Sequence, residues 1–509
     1  MKKIILFLIP IFIFSQAVFA EDVWINDARD LFLKNSMHIY EINIRTFNAT
    51  DSNNNGIIDF DDGEESGNFL NAISRLDEIA ENGSNTIQLM PIMELGKTKA
   101  LGTAGSLYAP LSFNKLNPQL ESRRTALSVE SQAIKFINEA HKRKIRVIVE
   151  VPAFASYDLY LKNPSLFVSG KDLIPGENTD IRVLNGGNET SVNREVLKLY
   201  RDYVDYVISL GVDGIVANEA STKPAKFWEE LISYSRRKDP HFLWVAQISE
   251  RNKQILPDLP LTSCDKLLNA GFDGYYGNFG NIHSAKELMA YVKNILGLKN
   301  KYASPKAVVG AFLTHDSMSP VADNNISYLD NVFWMNAILP VNSFITDGLT
   351  TGDSFIYLYG NKKAFKSFTD SNIYYVNRGK VDIFNFSRKP GGKYLPLRQE
   401  FIEANRLKYN VSGIYNAVDF KFIELKTSSP DILGFVLSGG KYTLISYANM
   451  TKSMQQDVKI YIPFLKGEDL PIPIKLGSIP KIESGKLSTQ LMPYEVNILL
   501  MENVSKLKK

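Results

Sequence analysis

From Met37 onward, short β-branched runs alternate with longer stretches whose apolar residues recur at helical spacing. Met37 to Ile44 predicts a strand and Leu70 to Ala80 a helix. Thr86 to Met90 predicts a short buried strand, stopped by Pro91. Ser131 to Lys144 places Ala133, Phe136, Ile137 and Ala140 on one helical face, and Ile145 to Val151 returns to a strand. A helix from Asn193 to Gly211, with Val196, Leu199, Tyr200, Val204 and Val207 on one side, leads into a strand at Val212 to Ala217. The rhythm continues through a helix near Phe227 to Arg236, strands Phe242 to Ala246 and Phe272 to Tyr275, and a helix Ala285 to Ile295. Strand Ala307 to Leu313, helix Leu329 to Leu339, strand Ser343 to Thr346 and helix Leu395 to Leu407 complete it. Eight strands alternating with helices predict an α/β fold, a closed parallel (β/α)8 TIM barrel over residues 21–410, with chemistry at the C-terminal ends of its strands.

Beyond Val411 the helices disappear. Phe420 to Leu425, Ile432 to Leu437, Tyr442 to Tyr447, Val458 to Ile462 and Val496 to Leu500 predict a C-terminal antiparallel, β-sandwich-like domain over 411–509. Residues 155–190 form a longer connection than a normal βα loop and predict a short inserted region.

The two ends of the chain set the compartment. Lys2 and Lys3, the apolar run Ile4 to Phe14 and the small-residue site Val18-Phe19-Ala20 predict a cleaved signal peptide over residues 1–20. The mature chain is therefore expected to be secreted or periplasmic, without a membrane anchor after cleavage. Cys264 is the one cysteine, so no internal disulfide is expected, and a small buried role fits it best. A formal net charge of +3 and the absence of a basic cluster interleaved with aromatics argue against nucleic acid as a partner.

Asp51-Ser52-Asn53-Asn54-Asn55-Gly56-Ile57-Ile58-Asp59 sets oxygen-bearing side chains at alternate positions around a glycine turn. Asp51, Asn53, Asn55 and Asp59, with the Ile57 carbonyl, can converge on a hard cation, which predicts structural Ca2+. The competing reading is a polar turn.

Five further segments, in order, carry a resemblance: Ile39 to Phe47, Leu89-Met90-Pro91-Ile92, Gly105 to Pro110 with Leu116-Asn117-Pro118, Leu210 to Gly214, and Leu491 to Val496. Together they resemble the α-amylase family, glycoside hydrolase family 13, along nearly the whole mature chain. The resemblance implies a carbohydrate-active barrel, Ca2+ in the loop after the first strand, and an α-glucan or other oligosaccharide as ligand. Retaining glycosidases use two carboxyl groups about 5 Å apart, one as nucleophile and one as acid/base. Phe312-Leu313-Thr314-His315-Asp316 resembles the family's region after strand seven, which implies His315 and Tyr108 in substrate binding and Asp316 in transition-state stabilisation.

The other two positions depart from the family. Gly214-Ile215-Val216-Ala217-Asn218-Glu219 puts Val216 at the arginine position, Asn218 at the nucleophile position and Thr222 where a histidine is common. Phe242 to Gln247 puts Gln247 at the acid/base position, and Phe154 and Ala155 replace an Asn and a His. An amide neither forms a glycosyl ester nor protonates a leaving oxygen. Losing one member of such a unit costs on the order of 10⁴ to 10⁶ in turnover. The sequence therefore reads as a catalytically impaired pseudoenzyme acting as a glycan-binding or protein-interaction scaffold in carbohydrate metabolism. Tyr157, Tyr160, Tyr275 and Tyr276 are its candidate stacking faces. The alternative is an active α-glucan hydrolase or transglycosidase that uses displaced carboxylates, for which Glu219 and Glu250 are the neighbours to consider.

Overall fold

The computed structural model describes residues 24–50, 52, 63–100, 106–168, 181–248, 259–315, 317, 319–352, 395–465 and 471–502. Eight parallel strands close a barrel: β1 (His38–Ile42), β2 (Thr86–Leu89), β3 (Arg146–Val151), β4 (Gly214–Ala217), β5 (Leu243–Ala246), β6 (Gly274–Tyr276), β7 (Ala307–Gly310) and β8 (Asn342–Thr346). The last pairs with the first, His38 opposite Ser343 and Glu41 opposite Thr346.

Side-chain alternation along each strand divides the core in two. Ile39, Ile148, Val216, Val245, Val309 and Phe344 turn inward and pack together inside the barrel. Tyr40, Ile42, Val147, Val149, Ile215, Trp244, Val308 and Ile345 turn outward into the larger core beneath the helices. A short helix, Ala28–Leu33, was not legible from periodicity because six residues give fewer than two turns. It seals the N-terminal end of the barrel: Ala28 and Phe32 belong to the inner cluster, and the Phe32 carbonyl accepts from Asn342 Nδ2 at 2.9 Å.

Local chemistry fixes the surrounding helices. The Arg194–Leu210 helix starts where the Asn193 side chain accepts from the backbone of Glu195 and Val196, and stops at Gly211 with φ +97°. Its Val196, Tyr200, Val204 and Val207 face is buried. The helix expected over residues 70–80 is broken into Phe69–Ala72, a 3-10 turn Ile73–Arg75, and Leu76–Glu81. Strand β1 is shorter than expected, because the Asn43 side chain accepts from Arg45 N and starts a helical turn, Ile44–Phe47. Strand β7 ends at Gly310, not Leu313.

The inserted region holds a hairpin of Phe154–Ser156 with Ile181–Val183, and the helix Tyr157–Lys162. The expected domain boundary at 410 falls inside a helix, Leu395–Tyr415. The C-terminal domain is two antiparallel sheets, and four of its strands escaped the sequence pattern: Lys426–Thr427, Ile472–Lys475, Lys481–Glu483 and Lys486–Leu491. Ile472–Lys475 and Lys481–Glu483 are mostly exposed, Lys426–Thr427 is two residues long, and Lys486–Leu491 buries only Leu487 and Leu491, so none carries an apolar run. The strand Ile432–Gly439 is buried on both faces. Leu433, Phe435 and Leu437 join the barrel core, and Ile432 and Val436 face the second sheet. No helix among the described residues is long and apolar enough to cross a membrane.

Candidate functional site at the barrel mouth

The inward columns continue upward from the apolar layer into a polar one. Glu41 stands two residues beyond Ile39 and Glu150 two beyond Ile148, while Gln88 pairs in register with Glu41. These side chains point into the barrel at its C-terminal end, where Glu41 and Glu150 are 1% and 0% exposed. A buried glutamate is rare unless partnered, and a closed ring of hydrogen bonds supplies the partners. Glu41 Oε1 meets His315 Nδ1 at 3.0 Å, and His315 Nε2 meets the Tyr108 hydroxyl at 3.1 Å. Tyr108 donates to Glu150 Oε2 at 2.8 Å. Gln88 Nε2 donates to Glu150 Oε1 at 2.8 Å and to Glu41 Oε1 at 3.1 Å. Thr346 adds a bond to Glu41 Oε2 at 2.8 Å, and the Tyr276 hydroxyl donates to Gln88 Oε1.

The two carboxyl groups are poised differently. Burial pushes Glu150 up to about 8, aided by the charge of Glu41 and opposed by His315. Burial presses Glu41 the same way, yet the adjacent His315 and the Thr346 hydroxyl hold it below the ordinary glutamate value.

One step further up, the barrel carries its pair of amides. Asn218 N bonds Val151 O at 3.0 Å and Gln247 N bonds Ala217 O at 2.9 Å, so the strand alternation that turns Val216 and Val245 inward carries on to Asn218 and Gln247. Asn218 Nδ2 donates to Gln247 Oε1 at 2.8 Å. Asn218 is 7% exposed, and its Oδ1 has no hydrogen-bond partner. Val216 lies fully buried in the barrel interior.

The structure thus joins Tyr108 to His315 and Asn218 to Gln247. Asp316 and the loop residues Asp51, Asn53, Asn55, Ile57 and Asp59 lie outside the described residues, as does Glu250. Glu219 leaves the strand at φ +50°, which ends the alternation there. The four tyrosines considered for stacking are otherwise engaged. Tyr276 is inside the barrel and Tyr275 packs on the outer core. Lys99 Nζ and the Arg182 guanidinium lie over the Tyr157 ring at 4.1 and 4.7 Å, and Phe167 meets Tyr160 edge-on. Glu41, Gln88 and Glu150 were missed as site residues. The available signal was a polar residue at an inward position of an otherwise apolar strand.

Lys223, in the turn after β4, is fully buried and donates to Ala153 O at 3.0 Å and Thr222 Oγ1 at 3.1 Å. Burial pushes its ammonium down to about 7 from an ordinary 10.5. Between those values the unfolded chain holds the proton and the folded one does not. Stability therefore rises with pH across that window, and the loss on acidification is complete once pH falls below about 7. In Lys223→Met that slope is expected to diminish by roughly 1 kcal/mol per pH unit relative to the native protein. Urea unfolding at pH 7, 8 and 9 measures it, and parallel slopes in the two proteins would refute the assignment.

No family model matches the chain. It is 25% identical over 202 residues to the α-1,4-glucan:maltose-1-phosphate maltosyltransferase of Bifidobacterium animalis subsp. lactis, covering 36% of this chain and 27% of that one. It is also 25% identical over 227 residues to the chloroplastic isoamylase 1 of Oryza sativa subsp. japonica, covering 42% and 27%. The chain thus spans about a quarter of the length of these curated relatives. Among solved structures, it matches a noncanonic maltogenic α-amylase from Thermotoga neapolitana with TM-score 0.65 and 16% identity, over 93% of this chain and all of that one. The α-amylase of Geobacillus thermoleovorans complexed with acarbose gives TM-score 0.66 and 16% identity, over 93% and 99%.

Barrel and C-terminal sandwich together define an α-amylase-type (β/α)8 fold. Within that class, the sequence relatives, a maltosyltransferase and an isoamylase, make the chain similar to members of the α-amylase family.

Proposed function

We propose that this chain is an exported, non-hydrolytic member of the α-amylase family that serves as a binding scaffold for an α-glucan or related oligosaccharide. The observation that carries this reading is the Asn218–Gln247 hydrogen bond at 2.8 Å. Two amides stand in contact where the family resemblance expects two carboxyl groups about 5 Å apart. Neither amide can form a glycosyl ester or give up a proton, and Val216 removes the cation expected beside the nucleophile. The names of the relatives, an α-1,4-glucan maltosyltransferase and an isoamylase, support an α-glucan as the ligand class.

Export rests on the Lys2-Lys3 start, the apolar run and the Val18-Phe19-Ala20 site. The loop after β1 is proposed to hold Ca2+ through Asp51, Asn53, Asn55, the Ile57 carbonyl and Asp59, an all-oxygen set suited to a hard cation. Its stem is compatible with that role. Thr50 N bonds Glu65 O at 2.8 Å and closes the loop, while Ser52 donates to the buried Glu64 carboxylate at 2.7 and 2.8 Å.

Calorimetric titration with maltoheptaose, beside an assay of sugar release from it, tests the scaffold reading. Saturable binding without release at enzyme-like rates is expected. Rapid release would overturn it in favour of displaced carboxylates, and absence of both would remove α-glucan as the ligand.

A further inference from the structure

The ring at the barrel mouth gathers two buried carboxyl groups and one imidazole. Glu41 and Glu150 are buried to 1% and 0% exposure, and among the described residues neither accepts a bond from a lysine or arginine. Buried carboxylates are ordinarily paired with a cation or coordinate a metal. One imidazole faces two carboxyl groups. A carboxylate oxygen from each glutamate and one His315 ring nitrogen all lie within 4.8 Å of one another. In a tetrahedral site with bonds near 2.1 Å such atoms stand about 3.4 Å apart, so side-chain adjustments of roughly an ångström complete the approach.

A second feature points the same way. Asn218 Oδ1 is a buried acceptor without a partner. It sits on the inward side of β4, two residues beyond Val216, the register partner of Glu150. An orphaned buried oxygen asks for a donor or a cation.

We propose that Glu41, Glu150 and His315 bind one divalent transition-metal ion at the barrel mouth. Two carboxylate oxygens and one imidazole nitrogen are a mixed O/N set that suits Mn2+ or Zn2+ better than Ca2+, whose sites are built of oxygen. The site is separate from the oxygen-only loop after β1. Gln88, bonded to both glutamates, and Thr346, bonded to Glu41, form the outer layer that orients the ligands. His315 keeps 10% of its side chain exposed, which leaves an edge of the site toward the surface. The inference does not depend on the glycan reading, because the ion can be measured with no sugar present.

The test is titration of the EDTA-stripped mature protein with Mn2+, followed by loss of the free-ion EPR signal, with Zn2+ as competitor and pulsed EPR for nitrogen coupling. One Mn2+ displaced by Zn2+ and coupled to an imidazole nitrogen is expected. Glu150→Gln and His315→Gln should each weaken binding at least about tenfold, since even outer-layer partners are worth 10- to 100-fold. Nitrogen coupling should vanish in His315→Gln. Asp59→Asn should leave Mn2+ at the mouth untouched while lowering Ca2+ uptake by the loop. Near-UV circular dichroism identifies any variant that fails to fold, and the native protein's own result stands in that case. No Mn2+ or Zn2+ bound by the native protein overturns the proposal. So does binding without nitrogen coupling, or binding unchanged in both folded variants.

Discussion

Arg75→Met is expected to cost about 3–5 kcal/mol of stability, the range found when one partner of a buried ion pair is removed. Arg75 is 1% exposed and holds two carboxylates at once. Its Nη2 reaches Asp347 Oδ1 at 3.0 Å, and its Nε reaches Glu78 Oε2 at 3.1 Å. It also donates to the Phe47 carbonyl, and the guanidinium lies 4.0 Å over the Phe47 ring. Tyr40, on β1, donates to Asp347 Oδ1 at 2.7 Å, just past the end of β8. The network therefore ties the first barrel strand to the last. Methionine refills the volume of the stem but leaves Asp347 and Glu78 buried with no cation, which is the costly half of the change. Burial already pushes Asp347 up to about 6 with Arg75 opposing. Urea unfolding monitored by tryptophan fluorescence gives the number, and a loss below about 1 kcal/mol would mean the seam closes without the ion pair. Adding Asp347→Asn and Glu78→Gln should recover part of the loss, because the stranded charges then disappear.

The second large effect is on chemistry. Asn218→Asp combined with Gln247→Glu should raise sugar release from maltoheptaose by about 10²-fold or more over the native background. A correctly placed general acid alone contributes 10² to 10⁴. The exchange is nearly isosteric, and the native 2.8 Å contact shows that the two side chains reach one another. Two acids that close share charge unfavourably, so one is expected to stay protonated, as an acid/base partner must. Val216 still withholds the arginine, which should keep the variant well below a full enzyme. A silent double variant that still binds maltoheptaose would show that the amides are not what prevents cleavage.

Much of this was legible because barrels write themselves as alternation. The apolar strands with their helices gave the closed sheet, and the register of Asn218 and Gln247 followed from Val216 and Val245. What escaped had no pattern to read. Ala28–Leu33 is too short for a helical period, and the missed strands of the C-terminal domain are exposed, very short or only sparsely buried. The helix around Arg75 is interrupted at a residue that is buried and reaches across the fold to Asp347, a partner 272 residues away. Glu41 and Glu150 each stand as a polar residue at an inward position of a mostly apolar strand. Sequential pairing sets β1 beside β2 and β2 beside β3, and only closure of β8 onto β1 brings His315, past the end of β7, round to them.

The seal formed by Ala28–Leu33 also bears on how the chain becomes a barrel. Met37 N and the Phe32 carbonyl are both satisfied by Asn342, on the last strand and 305 and 310 residues away. A chain emerging from its N-terminus thus presents Phe32 and Met37 long before the strand that covers them exists. Contacts of such sequence separation are slow to form. Until β8 arrives, the floor of the barrel is an apolar surface in search of a partner, and that interval is when this protein is most open to capture by a chaperone or by another copy of itself.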